Sequence, residues 1–396
     1  MLLSLALISL VGMTLGALFA KCKLPSLLGM IAAGMLLGPY ALNWLDSSVL
    51  SISSELRQIA LIIILTRAGL NLDLSDLKKV GRPAMMLCFV PACCEMAGVL
   101  LLAPRLLGLS LTEAFVLATV LAAVSPAVVV PRMLRLMDEH YGTDKAIPQM
   151  ILAGASVDDV FVIVLFATAT GLASGGSFDA LRLVRIPTSI VFGIAGGILC
   201  GLLLAFLFEK LGKKTMRDSL KMIVVTSVSF LLVTLDSTAN GTVGFSGLLA
   251  VMSMGLTLRV KTRETAERLS VKYSKLWVAA ELLLFGLVGA AVNLRYALSS
   301  GPSVVVLILG VLAFRMLGVW FCVIGTNLSL KEKIFCLLAY TPKATVQAAI
   351  GSVPLAMGLD CGNTVLTAAV AAILITAPLG AIAIDLTYKK LLAISH

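Results

Sequence analysis

Charge is scarce in this sequence. Only 13% of its 396 residues are Asp, Glu, Lys or Arg, about half the share in a soluble globular chain. That is too little polar surface to meet water on all sides. Histidine occurs twice, at His140 and His396, and the eight cysteines form no Cys-x-x-Cys pair and no Cys/His cluster. A zinc site and a disulfide scaffold therefore have no basis. The alternating apolar and polar pattern of a membrane β-barrel is missing too. No hydrophilic stretch is long enough to fold by itself, which leaves no soluble catalytic or regulatory domain.

What the chain does have is apolar length. It is 59% hydrophobic, with a mean hydropathy of +1.05. Thirteen apolar segments are expected to cross a bilayer as helices, each near the roughly 20 residues that requires: 2–20, 24–42, 57–72, 82–104, 111–131, 147–173, 187–208, 218–236, 243–258, 274–293, 302–326, 333–358 and 364–386. The net charge of +10 could point to nucleic acid, but its distribution points to a membrane. Most basic residues fall in alternate loops, such as Lys78, Lys79 and Arg82, or the run from Lys210 to Lys221. Only Arg57, Arg105, Arg182, Arg185 and Arg295 lie in the opposite set. This positive-inside bias predicts an outside N-terminus and a cytoplasmic C-terminus. The first segment has Lys21 and Lys23 after it and no basic residue before it, so it reads as an uncleaved anchor.

Thirteen segments divide into six, one linker and six. The chain is expected to be a single membrane transporter unit, 1–396, with a first repeat over 1–186, a linker helix at 187–217 and a second repeat over 218–396. A single linker turns the second repeat upside down, the inverted topology of many secondary transporters. Segments five and twelve hold equivalent places. The fifth contains Ser125-Pro126 and Pro131; the twelfth contains Thr341-Pro342-Lys343 and Pro354. Proline frees backbone carbonyls that lipid cannot satisfy. Single prolines are often ordinary kinks, but paired breaks at equivalent positions point to a cavity at membrane depth.

Segment six carries two adjacent carboxylates, Asp158 and Asp159, in an apolar helix. A central Asp costs about 2.5–3.5 kcal/mol on insertion scales. Adjacent helical residues point about 100° apart, so one acid can face a partner helix and the other a cavity. Ser156 lies one turn before Asp159 and can lend a hydroxyl. Lys343 sits about ten residues into the broken twelfth segment, where meeting both acids would make a pH-sensitive charge set. Carboxylates, hydroxyls and freed carbonyls are the hard oxygen ligands sodium requires, and protonation of the same carboxylate would expel the ion. Glu95 and Arg315, in equivalent helices four and eleven, are expected to pair within the core. Arg67 and Glu281 lie nearer the cytoplasmic ends, and Asp236 is expected to be solvated near an outer end.

At these residues the sequence resembles the monovalent cation/proton antiporter superfamily, specifically its sodium–hydrogen antiporter (NHA) branch. The matching runs are Leu65-Thr-Arg-Ala-Gly-Leu70, Ser125-Pro-Ala-Val-Val-Val-Pro131, Asp158-Asp159, Glu281 to Gly289, Lys331-Glu-Lys-Ile-Phe335 and Pro342 to Gly351. They extend from the third segment to the twelfth. The resemblance implies an all-α polytopic fold with broken crossing helices, an ion-transporting core and a homodimer working by an elevator-like movement. It implies Asp159 as the main ion and proton carrier, Asp158 paired with Lys343, and Ser125 at the crossing of the broken helices. It also implies transported Na+ or Li+ and H+ with no cofactor, membrane lipids as surroundings, and neither nucleic acid nor a soluble partner. Because the chain opens directly on a span, a bacterial inner-membrane protein is expected.

Four rival readings are weighed, within transport and beyond it. Potassium/proton antiport is one, although relatives of that kind often carry cytosolic nucleotide-binding domains. Sodium-coupled organic-anion uptake shares the helix architecture but has no need of Lys343. An intramembrane aspartyl protease needs carboxylates on two different helices and a Gly-x-Gly-Asp run, and neither is present. A channel would require a repeated filter sequence, which is lacking as well.

Overall fold

The computed structural model describes residues 1–22, 24–71, 81–174, 180–210, 216–239 and 245–394. The loop residues Lys23, Lys78, Lys79, Lys213 and Lys214 invoked for topology lie outside them. Almost everything described is helix: α1 (Leu2–Lys21), α2 (Ser26–Leu37), α3 (Ser47–Ser51), α4 (Ser53–Asn71), α5 (Arg82–Leu87), α6 (Val90–Leu107), α7 (Leu111–Leu121), α8 (Pro126–Asp138) and α9 (Ile147–Ala173). They are followed by α10 (Ala180–Lys210), α11 (Asp218–Ala239), α12 (Gly247–Lys261), α13 (Arg263–Ala291), α14 (Leu294–Val323), α15 (Leu330–Ala339), α16 (Thr345–Ile350), α17 (Val353–Ala356) and α18 (Gly362–Leu391). Eight stretches are long and apolar enough to cross a membrane, among the described residues. A helix is the form that satisfies every backbone group internally, as hydrocarbon surroundings demand. Large apolar side chains such as Leu3, Phe192, Leu203, Leu231 and Leu386 stay exposed on the outer surface, which suits contact with lipid.

Contacts divide the chain into two compact units, each drawn from both sequence halves. The first comprises Met1–Ser54, Ser75–Ser174 and Leu282–His396, and the second Glu55–Leu74 and Gly175–Glu281. Within the first unit, α2 lies against the end of α13 so closely that a Cβ on Gly34 would collide with the Gly286 carbonyl. Within the second, a Cβ on Gly197 of α10 would strike the Ala250 carbonyl of α12. Small residues let helices approach to backbone contact where lipid supplies no hydrophobic drive for association.

Two expectations change here. Asp236 is not simply solvated: half-buried, it accepts the Gly247 N–H at 3.0 Å and so caps the start of α12. Helix α13 begins at Arg263, well ahead of the expected 274, with polar first turns that precede the apolar stretch and carry exposed ion pairs. Glu267 there accepts from Arg259 at 2.9 Å and from Arg263 at 3.2 Å.

The segments with paired prolines are both interrupted. Helix α7 stops at Leu121 and α8 resumes at Pro126, where a missing N–H costs nothing at a first helical position. Helix α15 stops at Ala339 and α16 resumes at Thr345. The two gaps meet: Ser125 N–H donates to the Pro342 carbonyl at 2.8 Å. Each broken segment also begins on a capping box, Ser110 with Glu113 and Ser329 with Glu332.

Candidate functional site

Everything in the candidate site belongs to the first unit. Asp158 and Asp159 are the twelfth and thirteenth residues of the 27-residue helix α9, about 18 Å from its start at 1.5 Å per residue. That is near the middle of the helix. Asp158 is fully buried and faces the first gap. One of its oxygens accepts the Val124 N–H at 2.9 Å and the Arg315 guanidinium at 2.9 Å.

Arg315, on α14, is the hub. Besides Asp158 it reaches Glu95 at 2.9 Å, donates from Nε to the Tyr340 carbonyl at 2.7 Å, and donates to the Ala122 carbonyl. Glu95, on α6, also receives the Lys343 ammonium at 2.7 Å. Lys343 donates in addition to the Leu121 carbonyl at 2.6 Å. The four charges thus form a chain, Asp158 to Arg315 to Glu95 to Lys343, with every member at most 1% exposed. The expected Glu95–Arg315 contact is present. The implied Lys343–Asp158 pair is not the direct one: Lys343 is spent on Glu95, and Arg315 takes its place beside Asp158. The reason is reach. A guanidinium presents donors on several edges and can bridge two carboxylates, whereas an ammonium is a compact point charge.

The cations have a second task. Residues 120–123, at and just beyond the end of α7, carry carbonyls that receive no N–H from a further helical turn. Lys343, Arg315 and the Gln347 amide cover them, placing positive charge at a helix C-terminus. The freed carbonyls expected to ligate sodium are therefore occupied by side chains in this structure. Ser125, fully buried, lies 3.5 Å from the Thr345 hydroxyl. Thr376 of α18 accepts the Lys343 N–H at 3.0 Å and so fixes the second gap. Gln347 and Thr376 were not singled out from the sequence; uncharged polar residues in apolar runs raise no alarm there. The Ser156 side chain lies outside the described residues.

Asp159 stands apart from this chain of charges. Its Oδ1 is buried and has no hydrogen-bond partner, as is true of the second Asp158 oxygen. Among the described residues no basic side chain pairs with it. A cavity of about 550 Å³ opens beside Glu113, Ser174 and Asp360. It sits about 22 Å along α9 from Asp159, too far to be the site itself.

Comparisons with known proteins bear on the chain as a whole. Residues 5–390 match the family described as sodium/hydrogen exchanger, transmembrane. Sodium/hydrogen exchanger 9B2 of Xenopus tropicalis is 37% identical over 404 residues, covering 95% of this chain and 72% of the relative. The human 9B2 protein is 37% identical over 379 residues, covering 93% and 70%. Human sodium/hydrogen exchanger 9B1 is 33% identical over 387 residues, covering 93% and 73%. In fold, the chain is similar to the sodium proton antiporter MjNhaP1 from Methanocaldococcus jannaschii at pH 8, with a TM-score of 0.83 at 22% identity over 98% of this chain and 97% of that one. A family match over residues 5–390, together with relatives 33–37% identical over more than nine-tenths of the chain, makes this multi-pass membrane protein a transporter rather than an enzyme and a member of the sodium/hydrogen exchanger family.

Proposed function

We propose that this protein is a secondary antiporter exchanging Na+ (or Li+) for H+ by alternating access, with cation and proton competing for Asp159 and Asp158. One observation carries the reading. Arg315 and Lys343 are matched by Glu95 and Asp158, so Asp159 is the surplus carboxylate. A lone carboxylate at membrane depth is costly unless a proton or a cation neutralises it. The two states of Asp159, protonated or metal-loaded, are then the two cargoes. The unpartnered oxygens of Asp159 and Asp158 and the Ser125 hydroxyl, 3.5 Å from that of Thr345, are the ligands this reading assigns, and Ser156 would add another. The ion is cargo, not a resident cofactor. Relatives named as sodium/hydrogen exchangers support sodium as the cation.

The finer architecture belongs to the same proposal: thirteen spans in two inverted six-helix repeats, 1–186 and 218–396 about the linker 187–217, in a homodimer with its N-terminus outside. Equivalent breaks and equivalent capping boxes in segments five and twelve support the repeat.

The test is proton flux in sealed vesicles with an imposed pH gradient, on adding sodium, lithium, potassium or choline chloride. Dissipation by sodium and lithium, abolished in Asp159→Asn with the protein still folded, is expected. Wild-type exchange in Asp159→Asn would remove the site assignment. A response to potassium alone would transfer the chain to potassium/proton exchange.

A further inference from the structure

Gln347 has no part in the exchange scheme above, yet it is among the most enclosed polar residues of the site. It lies in the first turn of α16 with none of its surface exposed. Its Nε2 donates toward three carbonyls at the end of α7: Val120 at 3.2 Å, Leu121 at 3.4 Å and Ala123 at 3.0 Å. Three acceptors around one nitrogen fix the orientation of the amide, because a reversed amide would set oxygen against oxygen. The Oε1 atom is left buried without a partner.

The Ala123 contact has a particular consequence. The Ala123 carbonyl and the Val124 N–H belong to one peptide group, and that N–H is the backbone donor to Asp158. A planar trans peptide points its C=O and N–H in opposite directions. Gln347 therefore holds one end of a rigid plate and Asp158 the other. The plate lies in the gap between α7 and α8, where no helical ladder restrains it. Capping alone does not account for Gln347. Lys343 already covers the Leu121 carbonyl and Arg315 the Ala122 carbonyl. The Ala123 carbonyl is reached by Gln347 and by neither of these cations.

We propose that Gln347 is a positioning residue for cation exchange: it aims the Val124 N–H at Asp158 and so sets the carboxyl pair that receives the cation. The proposal rests on the antiport reading and deepens it. Without the amide the plate can turn, Asp158 loses a donor, and the pair meets the cation with its oxygens displaced.

The test is the sodium dependence of proton flux in proteoliposomes containing wild type, Gln347→Met or Gln347→His. Methionine matches the length of glutamine without a donor, and histidine keeps one ring N–H. Gln347→Met should raise the apparent KM for sodium about tenfold with the maximal rate within about twofold, as loss of one charge-assisted contact implies. Gln347→His should fall between. A lowered Tm with a wild-type KM would reduce Gln347 to a cap and overturn the proposal. A reduced maximal rate with unchanged KM would overturn it as well. If Gln347→Met does not fold, Gln347→His decides alone: a raised KM supports the role, an unchanged one refutes it. Wild-type vesicles that exchange no cation would defeat the antiport reading instead. Hydrogen exchange at the Val124 amide would then decide, since protection lost in the variant keeps the peptide-holding role and protection retained removes it.

Discussion

Arg315 touches more of the site than any other side chain, and its removal should be correspondingly severe. Arg315→Gln leaves Glu95 and Asp158 facing each other with only Lys343 in reach, and breaking a buried pair in this way costs about 3–5 kcal/mol. Glu95→Gln leaves Lys343 with no carboxylate in direct contact. Because the two residues share a charge balance, the double variant should lose less than the sum, with a coupling of about 1–3 kcal/mol. Thermal unfolding of the purified protein measures all three, and strictly additive losses would count against a shared network. Arg315→Lys should also fail, since an ammonium cannot reach two carboxylates and two carbonyls together. At this scale the sequence was readable wherever a charge interrupts an apolar run: Asp158, Asp159, Glu95, Arg315 and Lys343 announce themselves by the cost of burying them. Which acid meets which base was not readable. It depends on how α6, α9, α14 and the two gaps cross, and that geometry has no local signature.

The breaks in segments five and twelve were legible because proline is a local event, and their meeting followed from a backbone contact no spacing could supply. The capping boxes have a local signature too, Ser-x-x-Glu at 110–113 and 329–332. The second box makes a pH prediction possible. Glu332 lies just ahead of the expected span at 333–358. Burial pushes its carboxyl up, but the Lys145 ammonium at 2.8 Å and the Ser329 cap outweigh burial and hold it below the ordinary value. A carboxyl lowered in the folded state adds stability above its unfolded pKa, and loses it as pH falls through the folded one. Glu332→Gln should therefore lower stability by about 1 kcal/mol at neutral pH. The gap to wild type should close on acidification below about pH 4. A gap that persists unchanged into acid would mean shape, not charge, matters there. The far end of α8 is held differently. Arg132 and Arg135 both donate to Asp385 of α18, at 3.1 and 2.9 Å, while Tyr388 donates to Glu139 at 3.0 Å. Asp385→Asn should cost at most about 1 kcal/mol, because these groups are partly solvated. A larger loss of Tm would show that the latch bears on the whole bundle.

At the scale of the whole molecule, hydropathy made the polytopic class legible, because length and apolarity are sums over many residues and tolerate local error. The division into two compact units was not legible. Each unit takes helices from both sequence halves, and only tertiary contact decides that. Orientation rests on the loop charges, and the structure offers one probe of it. Cys22 is exposed just beyond the end of α1, next to Lys21. A chain entering from outside through α1 would deliver Cys22 to the cytoplasm. In a variant keeping Cys22 alone, with the other cysteines replaced by alanine, a membrane-impermeant maleimide should label inside-out vesicles and spare intact cells. Labelling of intact cells would invert the topology. The buried charge chain and the unpaired carboxylate at Asp159 would stand as they are, because neither depends on which compartment the helix ends face.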